Sequence, residues 1–576
     1  MTGRATPAPA PVTPSPVQPR PTRPWVPRVV GAVAYAIGLL DIVTGLRQTL
    51  RVRLRFTDVV PGVVGDAASA ATVVTGVLLV LIAHGLKRRK VRAWRATVAL
   101  LGITVVLQGL RGHLAAVTVA LAVFAVLVLL RQEFRALGDP RTRWRSLTVF
   151  LGLFVTSSVI GVVTLAVDRR EIVGGWPGLW PVLQHVWWGL IGASGDLQLR
   201  NDRFDDILSA LLLGLGLMTG LVSLYLLLRA PEPLPELTEV DESRVRELLA
   251  GSSDSLGYFN LRRDKSLVWS DSRKAAVAYR VVGGVMLASG DPIGDPEAWP
   301  GAMSSFLAEA ARHAWTPAVL GCSERAGLAW TRLADFSAME LGDEAILDVA
   351  EFSLQGRPMR NVRQMVGRIR RAGYDTQVCR VADLSADERS VVLADAATWR
   401  SSETERGFSM ALGRTADPLD PDAVLVTARQ DGRVRGLLQF VPWGVDGMSL
   451  DLMRRDSAAE AGINELLISA AMEAAPALGV RRVSLNFAVF RAVLERGERL
   501  GAGPLLRAWR TALIFASRWF QIESLYRFNA KFQPEWQPRY LIYPGPADLP
   551  RVGVAALEAE AFIVWPTLRR LRGVRA

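Results

Sequence analysis

Long apolar runs fill most of the first 230 residues of this 576-residue chain. They lie at about 29–46, 67–86, 94–110, 114–130, 147–167 and 207–228. A helix needs roughly 20 apolar residues to cross a bilayer core. Because every backbone N–H and C=O must be hydrogen-bonded within lipid, runs of this kind have to form helices. The sequence therefore predicts a multi-pass α-helical membrane domain of about six helices over 28–229.

Basic residues flank these runs unevenly. Clusters at 87–92 and 131–145 follow the second and fourth runs, and Lys and Arg collect in cytoplasmic loops. Six spans then place both termini and the soluble half on the cytoplasmic side of the plasma membrane, although the basic loop 47–55 lies on the opposite side. Four tryptophans in 176–192 favour the membrane–water interface. An interfacial or re-entrant segment is therefore expected there rather than a seventh span.

Charge divides the chain where hydropathy does. Residues 1–230 hold 25 Lys and Arg against 11 Asp and Glu, whereas 231–576 hold 43 against 44. The basic character belongs to the membrane half and gives no argument for nucleic-acid binding by the second half. The only cysteines, Cys322 and Cys379, are far apart, and the four histidines are scattered. Neither a disulfide framework nor a metal site is expected.

The remaining segments follow from composition and periodicity. Residues 1–27 are a Pro-rich tail that is expected to be disordered, and 230–240 are a Pro-rich linker. From there onward strand and helix patterns alternate, which predicts an α/β soluble region with two successive units at 241–380 and 381–550. Gly283-Gly284 predicts a hairpin between two strands over 275–289. Residues 551–576 predict a basic C-terminal helix, with the helical pattern over 555–572.

Polar residues between 448 and 540 stand at the ends of apolar strand patterns. The stretch includes Ser449-Leu-Asp451-Leu-Met-Arg454, Ser484-Leu-Asn486, Lys531-Phe-Gln-Pro-Glu-Trp536 and Arg539-Tyr540. This placement predicts a site at the edge of a sheet. Asp451 ends a strand pattern, where a carboxylate can hold a cation in a pocket of low dielectric. An ion pair between Asp451 and Arg454 or Arg455 is an equally weighted alternative.

Further motifs precede this stretch in the chain: Lys265, Gly290-Asp-Pro-Ile-Gly294, Met359-Arg-Asn-Val-Arg363 and Glu405-Arg-Gly-Phe-Ser409. Together these residues resemble the catalytic domain of the phosphatidylglycerol lysyltransferase (multiple peptide resistance factor) family over roughly 240–545. The resemblance implies tandem acetyltransferase-like (GNAT-like) folds, of which the second is catalytic. It also implies an enzyme that moves an aminoacyl group, expected to be lysyl, from aminoacyl-tRNA to the headgroup glycerol of phosphatidylglycerol. Such a reaction alters membrane surface charge and is associated with antimicrobial peptide resistance.

The implied partners are aminoacyl-tRNA, phosphatidylglycerol with other membrane lipids, and a separate aminoacyl-tRNA synthetase as supplier; no cofactor is implied. Since an aminoacyl ester is already activated, the enzyme has to position it and stabilise an oxyanion. The candidate catalytic residues are Asp451, Arg454, Asn486, Arg491 and Lys531. The candidate substrate-binding residues are Glu405, Phe408, Glu465, Arg527, Trp536, Arg539 and Tyr540. For Trp536, core packing is the favoured alternative to stacking on a base.

A separate basic cluster lies between Glu351 and Asp375, with no acid between them. Its candidate phosphate-binding residues, for tRNA or for lipid headgroups, are Arg357, Arg360, Arg363 and Arg370, with Arg368 and Arg371 beside them. The alternative is a solvated helix face, which usually carries interspersed acids.

Two other functions compete with the transferase. One is a non-catalytic membrane protein whose degenerate transferase fold binds lipid or a partner. The other is an acyl-CoA-dependent N-acyltransferase, although the chain shows no well-placed Gly-rich pyrophosphate loop after a strand.

Overall fold

The computed structural model describes residues 114–131, 140–192, 197–228, 237–399, 407–489 and 522–563, with short pieces of 29–98 and single residues at 195, 233 and 235. The membrane part of this description contains α1 (Leu114–Leu129), α2 (Pro140–Val167), α3 (Leu179–Leu190) and α4 (Asp202–Leu228). Within it, Leu147–Val167 and Asp202–Leu224 are long and apolar enough to cross a membrane. The helices predicted for the fifth and sixth apolar runs are thus confirmed.

The other predicted spans are tested less fully. A helix over the fourth run is confirmed by α1, which has 16 residues. Most of the first three runs lies outside the described residues, so six spans stay a prediction. The tryptophan-rich segment contains α3, which packs against α2 and α4.

Small residues bring these three helices close together. A Cβ on Gly216 would lie 1.8 Å from the carbonyl oxygen of Leu190. Between α2 and α3, Trp187 Nε1 donates to Ser158 Oγ at 3.1 Å. Small residues at close backbone approaches and hydrogen bonds between helices are typical of helix packing in membranes.

The soluble part alternates strands with helices, as predicted. Its strands are β1 (Ser266–Trp269), β2 (Ala275–Val282), β3 (Val285–Ser289), β4 (Ile293–Gly294), β5 (Thr316–Cys322), β6 (Ser337–Asp348), β7 (Tyr374–Arg380), β8 (Val424–Gln430), β9 (Arg433–Trp443), β10 (Gly447–Arg455), β11 (Arg482–Val489) and β12 (Glu535–Tyr543). Its helices are α5 (Glu239–Leu249), α6 (Trp299–His313), α7 (Glu324–Ala334), α8 (Arg360–Arg371), α9 (Ala386–Thr398), α10 (Ile463–Ala474), α11 (Ile522–Ala530) and α12 (Leu549–Ala559).

All these strands form one mixed sheet in the order β1-β2-β3-β5-β12-β6-β11-β10-β9-β8-β7, with β4 paired to β2. The same plan occurs twice. In each unit, antiparallel strands are followed by a helix and then by a strand parallel to the last of them, which is β5 beside β3 and β11 beside β10. The next strand in the chain, β6 or β12, is antiparallel to its neighbours in the sheet. This confirms the predicted membrane helices followed by an α/β region of tandem acetyltransferase-like folds. The boundary at residue 380 stays a prediction.

The last strand of each unit pairs outside its own unit. Strand β12, late in the chain, lies between β5 and β6, whereas β6 pairs with β11. The two units therefore share one sheet.

Local sequence explains the turn between β2 and β3, and the C-terminal helix differs from its predicted bounds. The predicted hairpin is β2–β3, turning at Gly283 and Gly284 with φ of 55° and 74°, which glycine adopts easily. The C-terminal helix begins and ends earlier than predicted: α12 stops at Ala559, and Ala561 has a φ of 58°. The arginines at 569–575 lie outside the described residues.

Candidate active site

Parallel strands β10 and β11 separate abruptly. They pair over only three rungs, Gly447–Ser449 with Arg482–Ser484. Beyond these rungs, β10 carries an extra residue at Asp451 relative to β9. Strand β11 carries its extra residue at Leu485–Asn486 relative to β6, and Asn486 has a φ of 69°. We call this split, which lies in the second unit, the second fork. Bulges of this kind redirect side chains and often lie beside active sites.

Residues 407–412, which we call the bridging loop, bond to both strands of the second fork. The amide Nδ2 of Asn486 donates to Met410 O at 3.0 Å and to Leu450 O at 3.1 Å. The carboxylate Oδ1 of Asp451 accepts from Leu412 N at 2.6 Å. Two predicted catalytic residues, on strands more than 30 residues apart, thus hold the same loop.

Gln439 fixes the other side of Asp451. Its Nε2 donates to Asp451 Oδ2 at 2.5 Å and to Arg414 O at 2.9 Å, while its Oε1 accepts from Ala416 N at 2.7 Å. Arg454, one of the two arginines considered as an ion-pair partner for Asp451, donates to Ala396 O at 2.8 Å. A carboxylate positioned by two donors at a strand split can bind a substrate ammonium or accept a proton.

Two further candidates, one on α10 and one just after α11, form an ion pair. Lys531 Nζ lies 2.7 Å from Glu465 Oε1; the glutamate side chain is 6% exposed and the lysine 37%. The preceding helix α11 reaches the second fork, because Asn529 Nδ2 donates to Leu485 O at 3.5 Å. The structure therefore connects Lys531 to β11 through a buried asparagine that the sequence analysis did not single out.

Arg539 has a different environment from the one predicted. Its guanidinium is 4% exposed and lies 2.7 Å from Asp254 Oδ1 and 2.5 Å from Glu344 Oε2. It also donates to Ser255 Oγ at 2.6 Å. Because β12 is an interior strand, the arginine neutralises buried carboxylates. The substrate-binding role predicted for Arg539 is therefore corrected to a buried ion-pair network, which we call the Arg539 network.

The Arg539 network reaches the last paired rung of the second fork. Ser484 Oγ donates to Glu344, and Ser449 Oγ donates to Ser255 O at 2.7 Å. Both serines are fully buried. The point at which β10 and β11 begin to separate is thus fixed by a charge-assisted hydrogen bond to Glu344 and by a neutral one to the Ser255 carbonyl.

Asp291 adjoins this network at the end of β3. It accepts from Ser323 N at 2.7 Å and Ser323 Oγ at 2.6 Å, and its own N–H donates to Asp254 Oδ2 at 3.2 Å. Burial, then the charge of Asp254, raises the pKa of Asp291 to about 7. The aspartate of the Gly-Asp-Pro motif therefore connects the ends of β3 and β5 through buried hydrogen bonds.

The other predicted substrate residues are dispersed. Phe408 is fully buried, so its predicted role in substrate binding is corrected to packing. Trp536 packs on Tyr526, with ring centroids 5.2 Å apart, which agrees with its core-packing alternative. Arg527 is exposed on α11, and Tyr540 is half-buried on β12. Glu405 and Arg491 lie outside the described residues.

The basic cluster lies on and just before α8. Val362, Val366 and Ile369 form the buried face of this helix. The exposed side carries Arg357, Arg360, Arg363, Arg368, Arg370 and Arg371, which we call the arginine surface.

Half of the arginine surface is bound by the protein itself. Arg370 pairs with Glu473 at 2.9 Å, Arg363 donates to Leu354 O and Gly356 O, and Arg368 donates to Ala461 O. Among the described residues, Arg357, Arg360 and Arg371 have no ion pair or hydrogen-bond partner for their guanidinium groups. These three cations form the available part of the arginine surface.

Sequence reasoning missed the residues that hold the bridging loop from outside the second fork. Arg262 Nη1 donates to Gly407 O at 2.7 Å, and the Glu560 carboxylate accepts from Phe408 N at 2.7 Å. A weak signal was present, since Glu560 is an acid within an Ala-rich stretch. Gln439 gave none, because it lies in the middle of a strand pattern.

Comparison with known families agrees with this geometry. The family described as "Phosphatidylglycerol lysyltransferase, C-terminal" matches residues 246–543, just over half of the chain. A second family, "Transmembrane region of lysyl-tRNA synthetase", matches residues 22–225. The solved structure of L-PGS from Bacillus licheniformis shares the fold with a TM-score of 0.50 at 20% identity, covering 58% of this chain and 99% of that one.

Relatives with curated names match both halves. The lysylphosphatidylglycerol biosynthesis bifunctional protein LysX of Nocardia farcinica is 41% identical over 549 residues, which are 93% of this chain and 48% of that protein. The protein of the same name from Mycobacterium avium is 44% identical over 456 residues, covering 78% and 38%. The chain thus spans about half the length of the relatives it matches. On the family match and the shared fold, it belongs to the phosphatidylglycerol lysyltransferase family.

Proposed function

We propose that this chain is a membrane-bound transferase that moves a lysyl group from lysyl-tRNA to the headgroup glycerol of phosphatidylglycerol. The observation that carries the proposal is the second fork, where Asp451 and Asn486 bond to the bridging loop inside the family match. The name of the relatives, lysylphosphatidylglycerol biosynthesis, supports lysine as the group and phosphatidylglycerol as the acceptor. The product adds positive charge to the headgroup and so changes the surface charge of the membrane.

The reaction exchanges one ester for another. The headgroup hydroxyl oxygen attacks the ester carbonyl carbon, and the bond between that carbon and the terminal ribose oxygen of tRNA breaks. The proton given up by the headgroup hydroxyl ends on the ribose oxygen. No oxidant, reductant or cofactor is needed for this balance, so positioning and oxyanion stabilisation supply the rate enhancement.

The side chains divide these tasks. Asp451, fixed by Leu412 N–H and the Gln439 amide, binds the ammonium of the lysyl group. The Lys531 ammonium, paired with Glu465 but more than a third exposed, provides positive charge for the developing oxyanion. Asn486 keeps the bridging loop against both strands.

The arginine surface is the proposed contact for tRNA. Phosphate backbones bind clustered Arg and Lys with a strong dependence on salt. Arg357, Arg360 and Arg371 suit this role because they are exposed and, within the described part of the chain, have no acidic partner.

The membrane helices are proposed to hold this enzyme at its lipid substrate. On α2, Val155, Val159 and Val163 are each more than half exposed, and their spacing forms one apolar stripe. A stripe of that kind suits contact with lipid tails. Six spans with a cytosolic soluble half, and a lysyl-tRNA synthetase as supplier of the charged tRNA, complete the proposal.

The direct test reconstitutes the full chain in vesicles and adds tRNA charged with labelled lysine. Label is expected in the extracted lipid with phosphatidylglycerol vesicles and not with phosphatidylcholine vesicles. Alanyl- and arginyl-tRNA, supplied in parallel, define the amino acid. Absence of labelled lipid with every charged tRNA would overturn the transferase and favour a lipid-binding protein.

The arginine surface has a separate test. Arg360→Glu with Arg371→Glu is expected to raise KM for lysyl-tRNA about tenfold and to make its salt dependence less steep by one to two units in a log–log plot, because each lost phosphate contact lowers the slope by about one. Arg332→Glu with Arg433→Glu, at exposed positions on α7 and at the start of β9, is the matched control. An unchanged KM with weaker binding to anionic vesicles would assign the surface to lipid instead.

A further inference from the structure

The bridging loop is held from outside the second fork by one buried carboxylate. Glu560, just beyond α12, is 7% exposed. Its Oε2 accepts from Phe408 N at 2.7 Å, and its Oε1 accepts from Ser409 N at 2.9 Å and Ser409 Oγ at 2.5 Å. A carboxylate that receives two consecutive backbone N–H groups and a hydroxyl fixes the position of that backbone.

A buried lysine contacts the same loop. Lys265 is fully buried, and its Nζ donates to Phe259 O at 2.9 Å and Ser289 Oγ at 2.8 Å. The same Nζ lies 4.7 Å from the centroid of the Phe408 ring. A cation over an aromatic face is attracted to it, more strongly where water is excluded. Phe408 is thus held through its ring by Lys265 and through its N–H by Glu560.

The bridging loop carries this restraint to the second fork. Proceeding along the loop, Glu560 holds residues 408 and 409, Asn486 holds Met410, and Asp451 holds Leu412. Gly407 permits the entry, since it has a φ of 98° and a Cβ there would lie 2.7 Å from Ala411 Cβ. No residue between 407 and 412 is more than two positions away from one of these anchors.

Burying a carboxylate at the end of a helix costs free energy. Its desolvation opposes folding unless specific donors compensate, and burial raises the pKa of Glu560. Apolar contacts from Val552, Ala555 and Ala559 already attach α12 to the core. The geometry of Glu560 is explained instead by what it binds, which is the backbone of the bridging loop.

We propose that Glu560 and Lys265 are positioning residues of the transferase reaction: by fixing the bridging loop they set the orientation of Asp451 and Asn486 without touching the substrate. This inference rests on the proposed function. A shift of about 1 Å in a positioned group can cost roughly 100-fold in rate. Loss of the contacts that Glu560 and Lys265 make with the bridging loop, which we call the clamp, should therefore lower kcat. Recognition of tRNA at the arginine surface should stay intact.

The primary variant is Glu560→Gln, which keeps one acceptor oxygen but presents an amide N–H to a backbone N–H of the loop. The full chain in phosphatidylglycerol vesicles is expected to lose 10- to 100-fold in kcat, with KM for lysyl-tRNA within about twofold of wild type. Glu558→Gln is the matched control, because within the described residues the Glu558 side chain has no hydrogen bond or ion pair. It is expected to retain wild-type kcat.

A second readout is independent of activity. Hydrogen exchange of peptides covering 407–412 is expected to accelerate in Glu560→Gln and in Lys265→Met, with exchange in β8 and β9 unchanged. Because both side chains act on Phe408, the kcat losses of the double variant should be smaller than the product of the single losses.

The outcomes separate this inference from the function on which it rests. If wild type transfers no lysine but the exchange pattern changes as expected, the proposed function fails and the clamp stands only as a structural feature, which refutes a positioning role. If wild type is active and Glu560→Gln retains full kcat, or loses kcat with no faster exchange in the loop, the inference is overturned. Should Glu560→Gln fail to fold, Lys265→Met and Glu560→Asp, which retains the charge on a shorter side chain, decide by the same criteria.

Discussion

The two units of the soluble sheet build the same parallel strand pair in different ways. In the first unit, β3 and β5 pair over five uninterrupted rungs, Val285–Ser289 with Thr316–Leu320. Gly290 N then donates to Leu320 O at 2.9 Å, and Asp291 accepts from Ser323 just beyond both strands. In the second unit, pairing of β10 with β11 ends after three rungs, where both strands bulge.

The difference shows how one topology yields a closed and a divided strand pair. In the first, polar side chains at the strand ends bond directly across the gap, so they serve stability. In the second, Asp451 and Asn486 bond to the bridging loop, so backbone from elsewhere in the chain lies at the split. Asp291, just beyond β3, and Asp451, at the bulge within β10, therefore have different expected roles, and substitutions can separate them.

The largest effect is expected from Arg539→Met, which removes the cation of the Arg539 network. Glu344 and Asp254 would be left buried without their partner, and breaking a buried pair in this way costs about 3–5 kcal/mol of unfolding free energy. Denaturant unfolding of the full chain in detergent measures the loss. Arg332→Met, on an exposed face of α7, is the control; equal stability of the two variants would show that the network does not hold the sheet together.

The second-largest effect distinguishes Asp451 from Asp291. Asp451→Asn is expected to lower kcat/KM by at least about 100-fold, roughly 2.7 kcal/mol of transition-state stabilisation, because the charge proposed to bind the lysyl ammonium is lost. Asp291→Asn should retain activity within about threefold. Its pKa near 7 means that the neutral acid, which Asn resembles, is already populated at neutral pH. Equal losses from both substitutions would remove the functional distinction between Asp291 and Asp451.

The smallest effect concerns the pH dependence of stability at Lys265. Burial lowers its pKa from the ordinary 10.5 to about 7, with Asp264, Arg262, Glu560 and Arg280 as the charged neighbours. Between pH 7 and 10.5 the unfolded chain binds more protons at this residue than the folded chain, so folding stability from this group rises with pH. Lys265→Met should flatten that rise. Melting temperatures at pH 7.5 and 9.5 measure it, and an equal rise in both proteins would contradict the lowered pKa of Lys265.

Local sequence patterns predict many of the strands and helices but few of the strand pairings. Strands at 275–289 and 423–452 and the helix at 386–398 follow from alternation, glycine turns and a Ser385 cap, all of which are local. The position of β12 does not, since its partners β5 and β6 lie far away in the chain. For the same reason Arg539, whose partner Asp254 is 285 residues away, resembled a substrate contact at a strand end.

The candidate site divides along the same line. Asp451 and Asn486 were predictable because polar residues interrupt apolar strands there. Glu560 was not, because its partner Phe408 lies 152 residues earlier and no local pattern connects them. Residues that touch a bulge are visible in sequence, whereas residues that support it through a loop are visible only in three dimensions.

The place of β12 in the sheet also governs how this protein can be made. A ribosome releases β5 and β6 long before residue 543, and until then the edges of these strands that face each other have no partner. Unpaired edges are templates for pairing with other chains. Truncation anywhere before residue 535 should therefore yield an aggregating fragment in place of a smaller working domain, and chaperone demand during translation should peak just before the last strand emerges.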